Sequence, residues 1–449
     1  MPSRPTGSIL NLRHPAQYVV LAFTLASVTG GLLLWIPAAS ADGGTSFVTA
    51  LFTATSAVCV TGLVLVDTST HWSAFGEGVI LMLIQVGGFG IMTLTSLIVL
   101  ALARRLGLRQ RLIAASETGS FDLADVRRVL VGVAVVSISV EVNVAAALFL
   151  RFWTEHDLTA GDAAYASVFH AVSAFNNAGF SLFHDSLAGY ASDPVVLLVV
   201  AFAVIVGGLG FPVLVQMTRA PWAPRRWGLH TQVTVFTTVV LLLSGWALLA
   251  WFEWTNAATL GQMSAGDSLL NAFFHSVMPR TAGFQSLDIT DMREQSRLLT
   301  EVLMFIGGGS ASTAGGIKVT TFAILGWVIW AEARGDPDVV VFARRVPTIV
   351  QRQALTVALL AVGTVVGSTI LLLVTTPLAR HDIMFEVISA LGTVGLSANA
   401  TPRFPEGSQL ILVALMLLGR VGPPTLFAAL VLRERDRLYR YPEERPIIG

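Results

Sequence analysis

Long runs of hydrophobic residues, separated by short polar segments, are the main pattern along this chain. Each run is long enough for an α-helix to cross a lipid bilayer, which takes roughly 20 residues. In chain order the runs are Tyr18–Ile36, Val79–Ala103, Val129–Phe149, Pro194–Gln216, Thr231–Phe252, Leu298–Trp330, Ala354–Thr375 and Leu410–Leu432. The pattern predicts an all-α integral membrane protein with eight transmembrane helices.

Each connection between an odd-numbered run and the next contains a second, shorter apolar stretch that ends in glycine. About a dozen residues are too few to cross a bilayer, so such stretches suit re-entrant half-helices that enter and leave on one side. The four stretches are Ser46–Gly62, Tyr165–Gly179, Ser268–Gly283 and Ile383–Gly395. The predicted unit is therefore a helix, a pore half-helix, an extended loop and a second helix.

The glycines that end these stretches recur at a nearly constant spacing. Gly62, Gly179, Gly283 and Gly395 are 117, 104 and 112 residues apart. Four copies of one unit in one polypeptide predict a pseudo-fourfold pore around a shared axis. We place the repeats at residues 15–110, 111–222, 223–345 and 346–435, followed by a cytoplasmic tail at 436–449.

The four loops have related sequences. They read Val60-Thr61-Gly62-Leu63, Asn177-Ala178-Gly179-Phe180, Thr281-Ala282-Gly283-Phe284 and Thr393-Val394-Gly395-Leu396. A ring of backbone carbonyls can replace the hydration shell of a potassium ion, and glycine permits the positive φ that such a ring requires. One such tetrapeptide is commonly a simple turn. Four in register, each after a half-helix whose carboxyl end attracts cations, predict a potassium-binding selectivity filter.

Composition and charge distribution support a membrane protein of defined orientation. Of 449 residues, 54% are hydrophobic and 12% are charged, which excludes an ordinary water-soluble protein. The 28 basic and 28 acidic residues balance, so net charge does not favour a nucleic-acid partner. Twenty of the basic residues fall on one side of the predicted spans and six on the other. The positive-inside rule then places both termini in the cytoplasm.

The amino-terminal segment and the single cysteine each leave one question. Arg4 and Arg13, the first apolar run and Ala39-Ser40-Ala41 together are similar to a secretory signal, but the run has the length of a span. We therefore expect it to be retained as the first transmembrane helix. Cys59 is the only cysteine, which excludes an intramolecular disulfide and a multi-cysteine metal site. We expect its side chain to pack behind the filter.

With these loops the chain resembles the Trk/Ktr/HKT superfamily of potassium transporters over roughly residues 15–435. Its eight predicted spans most resemble the membrane subunit of the Ktr branch. The resemblance implies potassium uptake across the plasma membrane, a homodimer with one pore per protomer, and gating by a cytosolic nucleotide-binding ring of the KtrA or TrkA type. It implies a nucleotide only on that partner and no covalent cofactor. Glycine in all four loops resembles the potassium-conducting members, because sodium-preferring plant members carry a serine in the first loop.

The sixth apolar run is interrupted by Gly307, Gly308, Gly309, Gly315 and Gly316, followed by Lys318, the only lysine. Each glycine costs a helix about 1 kcal/mol relative to alanine, so a continuous helix is not expected here. The resemblance implies an intramembrane gating loop below the filter. A helix-packing surface of small residues is the alternative. The order of residues does not match a phosphate-binding loop.

Arg420 and Glu141 are ionisable residues within the predicted spans whose roles need an explanation. Arg420 has no acidic neighbour in sequence, and a lone charge in lipid is costly, so it should face the pore or a polar partner. The resemblance implies a position under the filter beside the gating loop, whereas a structural salt bridge is the alternative. For Glu141 we prefer a structural role over an ion site.

Three other functions were weighed against potassium uptake. A sodium-permeable or sodium-coupled cation transporter of the same fold is the first alternative. A secondary transporter for an organic solute usually has inverted twofold repeats, which does not fit four repeats of one orientation. A membrane enzyme would need paired ionisable groups or a ligand motif such as H-E-x-x-H, and the sequence shows neither. We therefore predict that the chain is not an enzyme.

Overall fold

The computed structural model describes residues 15–105 and 123–431. The predicted tail at 436–449 lies outside these residues. The helices are α1 (Pro15–Trp35), α2 (Phe47–Val58), α3 (Thr68–His71), α4 (Ala74–Arg105), α5 (Leu123–Glu155), α6 (Ala160–Phe175), α7 (Pro194–Leu209), α8 (Phe211–Arg219), α9 (Leu229–Glu253), α10 (Ala265–Val277), α11 (Glu294–Phe305), α12 (Val319–Arg334), α13 (Thr348–Thr375), α14 (Arg380–Gly392) and α15 (Glu406–Val431). One antiparallel hairpin pairs β1 (Val340–Val341) with β2 (Arg344–Arg345).

The predicted spans coincide with helices of unequal length. Within the described ranges, four helical segments are long and apolar enough to cross a membrane: Ala74–Thr93, Leu130–Glu155, Leu229–Glu253 and Thr348–Thr375. The bent pair formed by α7 and α8 is a fifth candidate. The first run forms the shorter apolar helix Val19–Trp35. The full set of eight spans therefore stays a prediction.

Four shorter helices, α2, α6, α10 and α14, occupy the positions of the predicted half-helices. They contain 12 to 16 residues, so at about 1.5 Å per residue each is shorter than a bilayer core of about 30 Å. The first three begin at Ser46, Thr159 and Ser264, whose hydroxyls accept a hydrogen bond from a first-turn amide. Each half-helix packs against the long helix that precedes it.

The fourth apolar run is not one continuous helix, so the expectation of an unbroken helix over Pro194–Gln216 is wrong. The chain turns by 100° between α7 and α8. Gly210 adopts a φ of +94° at the turn, and Pro212, near the start of α8, has no amide hydrogen to continue the helix. The amide of Phe211 instead donates to the carbonyl of Ala311, at 3.3 Å.

The sixth apolar run is also broken, at the position of its glycines. Residues 306–318 form a loop between α11 and α12, which we call the glycine loop. Its two ends are joined by a hydrogen bond from the Gly307 amide to the Ile317 carbonyl, at 2.8 Å. It also contacts the break in the fourth run, because the Gly309 amide donates to the Gly208 carbonyl at 2.8 Å. The two interrupted helices therefore support each other.

Candidate functional site

The four predicted loops meet in a closed ring. A Cβ atom on Gly62 would lie 2.3 Å from the carbonyl oxygen of Ala178, and each of the other three glycines stands in the same relation to the loop after it. The corresponding pairs are Gly179 with Ala282 at 2.6 Å, Gly283 with Val394 at 2.5 Å and Gly395 with Thr61 at 2.2 Å. We call these four glycines and four carbonyls the carbonyl ring.

The backbone of each loop has the same unusual conformation. Each glycine of the ring has a positive φ, between +71° and +93°. The residue two positions earlier, which is not glycine, also has a positive φ in every loop: Val60 at 55°, Asn177 at 59°, Thr281 at 71° and Thr393 at 48°. Such values are uncommon outside glycine and are held only by surrounding structure. The recurrence in all four loops indicates a shared requirement on where the carbonyls point.

Serine side chains hold the first and fourth loops from behind. The Ser56 hydroxyl accepts from the Gly62 amide at 3.0 Å, while its carbonyl accepts from the Thr61 amide at 2.7 Å. Ser389 makes the same two bonds to Gly395 and Val394, at 3.1 and 2.8 Å. These four amides therefore point toward the two serines and do not hydrogen-bond to the carbonyls of the ring. Sequence reasoning missed these serines, although each stands six residues before a ring glycine.

The residue after each ring glycine anchors its loop in the hydrophobic core. Leu63, Phe180, Phe284 and Leu396 are all buried. Cys59 is also fully buried and packs with the core around the first and fourth loops. These apolar contacts fix the backbone that carries the ring.

Buried polar side chains on the half-helices support the segments that follow the ring. Glu386 accepts hydrogen bonds from the hydroxyls of Ser397 and Thr401, both at 2.6 Å, and from the Ala398 amide at 3.1 Å. Nε2 of His170 lies 2.9 Å from the hydroxyl oxygen of Ser181. Both stand nine residues before their ring glycine, an alignment that could have identified them in the sequence.

The glycine loop lies against one side of the ring. A Cβ atom on Gly315 would lie only 2.0 Å from Oγ1 of Thr393, so the loop backbone contacts the fourth ring loop directly. The Thr313 hydroxyl donates to the side-chain oxygen of Asn177, at 3.0 Å, in the second loop. Both contacts fall on the residues that precede the ring glycines. The predicted gating segment is therefore brought into contact with the predicted filter.

Two cations, Arg420 and Lys318, bind carbonyls of the glycine loop. Arg420, with 1% of its surface exposed, donates to the carbonyl of Thr313 and, at 3.3 Å, to that of Gly87. Lys318 donates to the carbonyls of Ala314 and Gly315. Within residues 15–105 and 123–431, Arg420 has no acidic side chain at ion-pair distance. The structural salt bridge considered for Arg420 is thus absent from the part of the chain described.

A water-accessible cavity of about 570 Å³ opens on the other side of the ring. All four ring glycines line it, together with parts of the segments that follow each ring loop, and we call it the vestibule. Asp67, Asp185 and Asp288 contribute carboxylates to its wall, and His184 contributes an imidazole. Three acidic groups around one cavity favour the accumulation of cations beside the ring.

One vestibule pair joins a histidine to an aspartate. His184 hydrogen-bonds to Asp67 through Nδ1, and this contact raises the pKa of His184 above its ordinary value. Partial burial alone would raise the pKa of Asp67, but hydrogen bonds from Ser69 and His184 outweigh it and lower the pKa. Protonation of His184 therefore cancels one of the three vestibule charges.

The oxygen atoms at the carbonyl ring carry no formal charge. Among the described residues, no three His, Cys, Asp or Glu side chains cluster as metal ligands. The oxygen atoms that could bind a cation at the ring belong to backbone carbonyls and to hydroxyl side chains. The hydroxyls of Thr61, Thr281 and Thr393 are buried and have no hydrogen-bond partner in the described structure.

Comparison with known proteins agrees with this architecture. Residues 3–441 match the family TrkH, described as a cation transport protein. The chain is 38% identical to the Ktr system potassium uptake protein B of Bacillus subtilis, over 97% of both chains. It is 37% identical to the protein of the same name from Vibrio alginolyticus, over 96% of this chain and 94% of that one.

Two further comparisons extend the likeness. The potassium/sodium uptake protein NtpJ of Enterococcus hirae is 36% identical over 97% of both chains. The crystal structure of the potassium transporter TrkH from Vibrio parahaemolyticus superposes with a TM-score of 0.73, covering 96% of this chain and 87% of that one at 21% identity. At that identity the superposition shows a shared fold.

Proposed function

The chain belongs to the TrkH family of cation transport proteins, which are not enzymes, and we propose that it takes up potassium through the carbonyl ring. In this proposal a potassium ion enters from the vestibule and exchanges its water ligands for the carbonyl oxygens of Thr61, Ala178, Ala282 and Val394. Potassium is the transported ion, and the ring is its selectivity filter.

The closed geometry of the ring is the observation that carries the proposal. One carbonyl from each loop lies against the glycine of the loop before it, and no side chain intervenes between the two. The positive φ values of the loops are typical of a backbone that turns successive carbonyls toward one axis. Four half-helices also end within a few residues of the ring, and their carboxyl ends favour a cation there.

We propose that the glycine loop and Arg420 form the gate below the filter. The loop contacts the ring through Thr393 and Asn177, and Arg420 binds the loop rather than an acid. A positive charge in the conduction path raises the electrostatic barrier for a cation. Movement of the loop would carry the arginine with it, because the guanidinium is bound to the carbonyl of Thr313.

The cellular setting of the transporter is also a proposal. Two relatives are named as the B protein of a Ktr system, which supports a second component for this chain as well. We propose a cytosolic nucleotide-binding ring as that component, a homodimer as the assembly, and a plasma-membrane location with both termini cytoplasmic. The excess of basic residues on one side of the spans supports this orientation, in which the vestibule would face outside.

Ion flux through purified protein in liposomes tests the proposed function. We expect uptake of rubidium, a potassium analogue, to exceed uptake of sodium, and no uptake of an organic solute such as proline. Sodium belongs in the assay because one relative is named for both ions. Empty liposomes and the variant Gly179→Val, whose side chain would collide with the Ala282 carbonyl, serve as controls. Proline uptake, or rubidium uptake equal to the empty liposomes, would contradict the proposal.

A further inference from the structure

Glu141 is a buried carboxylate of α5 that neither the filter nor the gate uses. Only 8% of its surface is exposed. Its oxygens accept from the side-chain amide of Gln85 on α4, at 3.2 and 3.3 Å, and from the Nδ2 group of Asn176 at 3.3 Å. Among the described residues it has no basic partner at ion-pair distance. Its hydrogen bonds therefore connect three separate elements.

Asn176 transmits this contact to the carbonyl ring. It ends the half-helix α6 and immediately precedes Asn177, the first residue of the second ring loop. Its side chain also donates to Oε1 of Gln85 at 2.8 Å and is fully buried. Displacement of Asn176 would displace Asn177, whose side chain binds Thr313 of the glycine loop.

The second loop lacks one of the hydrogen bonds that hold the first and fourth loops. In the first and fourth loops, the Ser56 and Ser389 hydroxyls accept from the ring glycine amide. In the second loop the corresponding hydroxyl, from Ser173, donates instead to the carbonyl of Phe180 at 2.8 Å. It is thus oriented toward the segment after the ring. The contacts of Glu141 and Gln85 with Asn176 hold the beginning of this loop, where it leaves α6.

We propose that Glu141 is a positioning residue for ion selectivity, acting through Asn176 on the second loop of the carbonyl ring. It does not touch the ion. Its carboxylate fixes Asn176, and Asn176 fixes the carbonyls of Asn177 and Ala178. The inference rests on the proposed function, because it concerns how the filter discriminates between ions.

The test compares two buried carboxylates that each contact the half-helix α6, Glu141 at its end and Glu77 within it. Glu77 of α4 accepts from the Tyr165 hydroxyl of α6 at 2.6 Å, but neither residue contacts the ring. In purified full-length protein in liposomes, Glu141→Ala should lower the rubidium-to-sodium flux ratio by about threefold or more. Glu77→Ala should leave the ratio unchanged even where its melting temperature falls. Glu141→Gln retains one acceptor oxygen for Asn176 and should lie closer to the wild type.

A second variant keeps the proposal open to refutation if Glu141→Ala does not fold. Gln85→Met removes both of the Gln85 contacts while preserving a long unbranched side chain, and its flux ratio should fall in the same direction. A ratio for folded Glu141→Ala, or for Gln85→Met in its place, equal to that of Glu77→Ala would overturn the proposal. Failure of the proposed function is distinguishable, because then the wild type and Glu77→Ala would also carry no rubidium.

Discussion

Replacing Gly62 with serine perturbs one quarter of the carbonyl ring. The new Cβ would lie 2.3 Å from the Ala178 oxygen, about 1 Å short of a normal contact, and the atom it meets is backbone. Gly62 also has a φ of +89°, a region that costs a residue with a side chain about 1–3 kcal/mol. The ring can accommodate serine only by moving a carbonyl away from the axis.

The displaced carbonyl should weaken discrimination between potassium and sodium. A loss of about 1.4 kcal/mol in selectivity corresponds to a tenfold fall in the rubidium-to-sodium flux ratio. We would measure both fluxes in liposomes, per amount of folded protein, for the wild type and Gly62→Ser. Gly363→Ala is the matched control, because Gly363 lies within α13 and an added Cβ meets nothing within 4 Å. This control should keep the wild-type ratio.

The result that would refute this reasoning is specific. If Gly62→Ser folds normally and keeps the wild-type ratio, the carbonyl ring does not set selectivity. Gly395→Ser provides an independent repetition, because its Cβ would lie 2.2 Å from the Thr61 oxygen in the next loop of the ring. The two variants should change the ratio in the same direction.

Three further predictions concern the gate and the vestibule. Arg420→Gln should raise rubidium flux about fivefold, which is the effect of lowering a barrier by about 1 kcal/mol. Arg420→Lys should raise the flux less. A fall in flux together with a lower melting temperature would instead indicate a structural role for Arg420. Deleting several residues of 307–316 should raise flux and weaken dependence on a cytosolic partner, and a deletion that alters neither would reduce the segment to packing. Flux should increase as the vestibule pH rises through the pKa of His184, which lies above its ordinary value of about 6.5, because the loss of that proton leaves Asp67 uncompensated. His184→Asn should flatten this profile, and an unchanged profile would exclude the pair as its cause.

The carbonyl ring was accessible from the sequence because its chemistry depends on backbone. Only glycine readily adopts the required φ next to a neighbouring carbonyl, so Gly62, Gly179, Gly283 and Gly395 mark the loops directly. The half-helices before them follow from length alone, since a dozen apolar residues cannot span a bilayer. These features depend on residues that are neighbours in the sequence, so the sequence alone can predict them.

The break at Gly210 could not be predicted by hydrophobicity. The fourth apolar run has no polar interruption, and by hydrophobicity its Gly-Gly-Leu-Gly-Phe-Pro segment is part of one span. The bend is stabilised by a distant segment, through the bonds of Phe211 and Gly208 to the glycine loop. Glu386 has partners in the loop beyond the ring, although its position nine residues before Gly395 matches that of His170 before Gly179. Only the folded chain brings such residues together.

The position of a bound ion tests the central claim most directly. We would determine the structure of the protein in lipid with rubidium in place of potassium and locate the ion by anomalous scattering. The account predicts rubidium on the axis of the carbonyl ring, bound by the carbonyl oxygens of Thr61, Ala178, Ala282 and Val394. Rubidium bound elsewhere between the helices of a transport-competent protein, with the ring empty, would contradict it.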